Sequence, residues 1–119
     1  MSELRVLPGR YAICRLAADA AVPASFFSAT RTPDELSIVC LETQAPGNAQ
    51  IEPGWRVFQL IGPLEFSLTG ILAAIAAPLA QAGVSIFAIS TFDTDYVLVK
   101  VESLAKAVDA LRAAGHRVL

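Results

Sequence analysis

The sequence predicts an α+β protein in which antiparallel strands carry two helices on one face. Three observations lead there. From Trp55 onward the apolar pattern alternates between a two-residue and a three-to-four-residue period, in the order strand, helix, strand, strand, helix, strand. A hydrophobic content of 55% in 119 residues is ample for a continuous core. Glycine or proline punctuates the joints, at Gly62-Pro63, Gly83 and Gly115. That element order is the ferredoxin-like βαββαβ arrangement.

Arg10–Leu16 alternates Tyr11 and Ile13 against Ala12, Cys14 and Leu16 and reads as the first strand, after a Pro8-Gly9 turn. Ala17–Ala24 sets helix-favouring alanines against Pro23, which leaves a short turn of helix or a loop. Ser25–Thr32 and Leu36–Glu42 flank Pro33-Asp34-Glu35, a β-hairpin with proline where its fixed φ suits a turn. Thr43–Gly54 is rich in turn formers and reads as a loop.

Trp55–Ile61 is a strand, with Trp55 and Phe58 belonging to the core or to an interface. Ser67–Ala82 has Leu68, Ile71, Leu72, Ile75 and Leu79 at helical spacing, with a kink or a pause expected at Pro78. Val84–Thr91 and Tyr96–Val101 are strands around a Phe92–Asp95 tip. Glu102–Ala114 is the second helix, and His116–Leu119 a short edge strand whose histidine is read as surface. The first half repeats strand, irregular segment, strand, strand, which looks like the same unit with its first helix reduced. Residues 1–54 are therefore read as a partial, degenerate unit and 55–119 as a complete one.

Composition narrows the function. A net charge of −2, with nine scattered Lys and Arg residues, offers no field for a nucleic-acid backbone. The apolar run Gly70–Ala80 is broken by Pro78 and is shorter than the roughly 20 residues of a membrane span. The N-terminal segment carries charges and an early Pro-Gly turn where a secretory signal has an apolar core, so a cytoplasmic location is expected. Cys14 and Cys40 lie in apolar strands and read as buried, reduced small hydrophobes; the alternative is a disulfide between adjacent strands, against which the cytoplasmic placement argues. With no Cys/His or Ser/His/Asp constellation, metal cluster or phosphate-binding glycine loop of the strong types, the reading is not an enzyme, with no cofactor and no metal.

The candidate site is the turn into the first helix. Ser67 can cap that helix, Thr69 adds a hydroxyl, and their roles are capping alone or capping plus ligand contact. Gly70 inside a helix would cost on the order of 1 kcal/mol relative to alanine, so close backbone approach by a ligand or a packed strand is its economical explanation. Free helix amides suit a carboxylate, while Asp95, or Glu65 in its place, suits an ammonium or a cationic side chain. Asp93 reads as an ordinary turn residue.

The segment SLTGILAAIAAPLAQAGVSIFAISTFDTDYVLVK resembles the ACT domain, the amino-acid-binding regulatory module of aspartokinases. The ISTFDTDYVLV run and the GILAAIAAPLA helix look closest to small bacterial ACT proteins related to the CASTOR arginine sensors. The N-terminal RYAICRL and FFSATRTPDELSIVC look like the partial ACT unit of such proteins. The resemblance implies allosteric binding of a free amino acid, basic or small, between two ACT units. By position it points to Glu65, Phe66, Ser67, Leu68, Thr69 and Gly70, and to Ile89, Ser90, Thr91 and Asp95 on the hairpin. The animal sensors hold more ACT units per chain, so a homodimer or the partial unit is expected to complete the site. The alternative is an interaction module that pairs with a metabolic enzyme and keeps a vestigial ligand site.

Overall fold

The structure, a computed structural model, describes residues 2–61 and 70–119. Its elements run β1 (Glu3–Val6), β2 (Tyr11–Leu16), β3 (Ser28–Arg31), β4 (Leu36–Leu41), β5 (Gln50–Leu60), α1 (Ile71–Gln81), β6 (Ile86–Ser90), β7 (Asp95–Lys100), α2 (Leu104–Ala113) and β8 (Arg117–Val118). The chain divides into an N-terminal unit, Gly9–Trp55, and a C-terminal unit, residues 2–8 with Arg56–Leu119. β5 gives its first half to one and its second half to the other.

In the C-terminal unit the strand order is β6-β7-β5-β1-β8. A ferredoxin-like sheet sets its first and fourth strands side by side; here β1 lies between them, antiparallel to β5 (Leu4↔Leu60, Val6↔Phe58) and parallel to β8 (Leu4↔Val118). Residues 2–8, which sequence reading counted with the first half, thus pack in the second. Leu4 is fully buried in a core with Phe58, Leu60, Ile75, Leu79, Val97, Val99 and Leu111. β1 escapes a periodicity reading because two of its four residues are charged.

Both helices end in Schellman geometry. Gly83 (φ 75°) and Gly115 (φ 92°) take the left-handed position. Val84 N–H reaches back to Leu79 O at 2.9 Å, and His116 N–H to Leu111 O at 3.0 Å. α1 runs on through Pro78 as one helix from Ile71 to Gln81, without the pause expected of it.

His116 is not a surface residue. It is 7% exposed; its Nδ1 accepts from Ser2 N–H at 3.0 Å and its Nε2 lies 2.9 Å from Ala74 O. The ring therefore ties the chain just ahead of β1 to α1. Two backbone groups, on segments far apart in sequence, meet at the imidazole, and a periodicity argument has no access to that pairing.

The N-terminal unit has the order β3-β4-β2-β5, with β2 and β4 antiparallel in register from Tyr11↔Leu41 to Leu16↔Leu36. Its core of Ala12, Cys14, Leu16, Leu36, Ile38 and Cys40 is covered by Ala20, Ala45 and Ala49 from irregular segments, where the other unit uses helices. The expected loop Thr43–Gly54 is shorter than its composition implies, because β5 begins at Gln50. Pro53-Gly54 sits inside that strand at a bulge: the register to β2 slips between Tyr11↔Trp55 and Ile13↔Glu52, Gly54 has φ 82°, and its N–H bonds Glu42 Oε2 at 2.7 Å. A bulge accommodates residues that would otherwise end a strand.

Candidate functional site

β6 and β7 pair from Ile86↔Val99 to Ser90↔Asp95. Alternation along β7 puts Asp95 on the same face as Val97 and Val99, which pack in the core with α1 residues Ile75 and Leu79. The last rung of the hairpin thus extends the helix-facing side of the sheet beyond the apolar core. There Ser90 Oγ donates to Asp95 Oδ1 at 2.6 Å and holds the carboxylate in one orientation.

The tip is closed by Thr91 N–H to Thr94 O at 2.8 Å and by Thr94 N–H to Thr91 Oγ1 at 3.3 Å. Thr94, 7% exposed, donates its hydroxyl to Leu60 O at 2.8 Å. This buried bond pins the tip to the last residue of β5, where the chain departs toward α1. Sequence reading did not single out Thr94. The signal available was a hydroxyl residue three places after Thr91, the spacing of a turn closed by its own side chains.

The structure therefore brings Ser90, Thr91 and Asp95 together at the end of the sheet where β5 stops. Ile89 is the register partner of Tyr96 and lies on the opposite face, half-buried, so alternation separates it from the carboxylate. Glu65, Phe66, Ser67, Leu68 and Thr69 lie outside the described residues. The helix expected over Ser67–Ala82 is described from Ile71, with Gly70 as its N-cap.

Gly70 has φ 77°, and a Cβ built on it meets nothing within 4 Å among the described residues. The left-handed backbone by itself calls for glycine here, since the residue stands ahead of the helix and not inside it. Ala74 N–H makes the first helical bond, to Gly70 O at 2.9 Å. The amides of Ile71, Leu72 and Ala73 are those that a helix start leaves without an intrahelical acceptor, and they carry the positive end of the dipole.

Elsewhere the described residues hold little chemistry. Cys14 and Cys40 are free and buried. Burial, with Cys40 alongside, pushes the Cys14 thiol up from 9.0 to about 11, and burial raises Cys40 as well, so neither is a thiolate nucleophile near neutrality. No group of three or more His, Cys, Asp or Glu is placed to hold a metal ion among the described residues. No helix among them is long and apolar enough to cross a membrane.

Comparison with known proteins adds the following. A family model described as the ACT domain matches residues 50–113, and a second, described as an N-terminal domain, matches residues 9–48. A solved protein from Agrobacterium tumefaciens is 45% identical with a TM-score of 0.91, over 99% of this chain and 92% of that one. The human protein named cytosolic arginine sensor for mTORC1 subunit 1 is 41% identical over 59 residues, 49% of this chain. This chain spans only 18% of that relative's length. The regulatory subunit of aspartate kinase from Thermus thermophilus shares the fold, with a TM-score of 0.67 at 12% identity over 93% of this chain and 95% of that one.

Proposed function

This chain belongs to the ACT domain family, and we propose that it is a small regulatory protein without catalytic activity that binds a free amino acid where ACT units meet. The observation that carries the reading is the Asp95 carboxylate, oriented by Ser90 on the helix-facing side of the sheet, at the end where β5 stops and Thr94 anchors the tip. A zwitterion matches those charges: its carboxylate goes to the amides at the start of α1, and its ammonium or a cationic side chain goes to Asp95. A relative named as an arginine sensor makes arginine the first ligand to try. In this reading Glu65, Phe66, Ser67, Leu68, Thr69 and Gly70 contact the ligand together with Ile89, Ser90, Thr91 and Asp95. A second chain completes the site in a cytoplasmic homodimer.

Isothermal titration against the twenty amino acids, arginine first, tests it. The expected result is saturable heat with one amino acid or a related few, and an affinity about 10- to 100-fold weaker in Asp95→Asn, the loss of one charge-assisted contact. No heat with any amino acid, or an Asp95→Asn variant that binds as tightly as the parent, overturns the reading.

A further inference from the structure

The two units carry the same hairpin. β3 pairs β4 up to Arg31↔Leu36, and β6 pairs β7 up to Ser90↔Asp95. Each is closed by four residues that begin with threonine and have aspartate third, Thr32-Pro33-Asp34-Glu35 and Thr91-Phe92-Asp93-Thr94. The closing bonds repeat as well. Thr32 N–H bonds Glu35 O at 2.9 Å where Thr91 N–H bonds Thr94 O at 2.8 Å. Thr32 Oγ1 accepts from Glu35 N–H at 3.2 Å where Thr91 Oγ1 accepts from Thr94 N–H at 3.3 Å. Buried Ile38, Val39 and Cys40 match buried Val97, Leu98 and Val99.

In this register Arg31 stands where the other unit has Ser90, and Leu36 where it has Asp95. Leu16, paired with Leu36, marks the end of the unit's first strand as Leu60 does in the other. What Arg31 does there is specific. Its Nη1 donates to Ala18 O and its Nη2 to Ala20 O, the latter at 2.8 Å, in the turn that follows that strand. The turn itself is closed by Ala20 N–H to Ala17 O at 3.0 Å. The other nearby arginine, Arg15, is engaged elsewhere, with Glu35 Oε1 at 3.6 Å and Asp34 O at 3.3 Å. Two carbonyls set for the two arms of one planar cation form a guanidinium seat, which a point-charge ammonium cannot bridge in the same way.

We propose that the N-terminal unit holds a guanidinium site, formed by the carbonyls of Ala18 and Ala20, which the chain fills with its own Arg31. The unit is self-liganded: a basic residue is built in at the rung where the C-terminal hairpin instead presents a carboxylate. The inference stands on the repeated hairpin and the Arg31 bonds, and holds whether or not the C-terminal unit binds an amino acid.

Removal and rescue test it. Arg31→Ala lowers the melting temperature of the full chain and speeds amide exchange at Ala20; millimolar methylguanidinium restores both, while equal methylammonium or sodium does not, and the parent protein responds to none of them. Arg31→Lys behaves as the alanine variant does, because an ammonium lacks the fork. Should Arg31→Ala fail to fold, Arg31→Gln, which keeps one donor arm, serves with the same additives and the same expected rescue. The proposal falls if methylguanidinium stabilises the variant no more than methylammonium does, or if the variant keeps the parent's melting temperature and exchange rates.

Discussion

At the scale of single residues, Gly70 and Thr94 define how the hairpin and the start of α1 are held. Gly70 occupies left-handed backbone with open space around its Cα among the described residues. Replacing it is a matter of strain before it is a matter of steric block. Gly70→Ala should destabilise the protein by about 1–2 kcal/mol through its positive φ, and Gly70→Asn by less. Denaturant midpoints measure this, and equal stability of Gly70→Ala and the parent would refute the backbone argument. Comparing ligand titrations of the Ala and Leu variants then separates strain, common to both, from obstruction, confined to Leu. Asp95 was legible in the sequence as a carboxylate at a tip. Its orientation by Ser90 was not, because the bond depends on the register that puts the two residues on one rung.

At the scale of elements, β1 is the strand that sequence reading passed over and the one the C-terminal unit is closed around. It fills the gap between β5 and β8 and brings Leu4, with no exposed surface, into the core. Truncating such a side chain removes its transfer free energy and leaves a cavity, so Leu4→Ala should cost about 2–5 kcal/mol. A chemical denaturation curve that moves by less than the span of ordinary surface substitutions, roughly 0.5 kcal/mol, would make β1 dispensable. The helices were easier to read. Their apolar spacing, and glycine at the left-handed position after each, are local properties that the chain carries wherever it packs. β5 shows the opposite case, since Pro53-Gly54 looks like the end of a loop until the bulge opposite Tyr11 and Ile13 gives the extra residue a place.

At the scale of the whole molecule, the ACT family model covers residues 50–113, and the proposed site calls for a second chain to complete it. β6 pairs only with β7 among the described residues and forms the outer strand of its unit. Sedimentation at micromolar concentration should therefore give a dimer of the 12.6 kDa chain, tightened by whichever amino acid binds. A monomer that saturates with ligand would remove the second chain from the proposal. The α+β class, both helices and the β6–β7 hairpin follow from periodicity, turn residues and the two glycine caps, all of which act over a few neighbouring residues. The insertion of β1, the burial of His116 and the repetition of one threonine-closed hairpin with Arg31 in one copy and Ser90 in the other were decided by the tertiary structure. Each depends on which distant backbone groups meet, and hydrogen-bond satisfaction between segments far apart in sequence leaves no period in the chain to read.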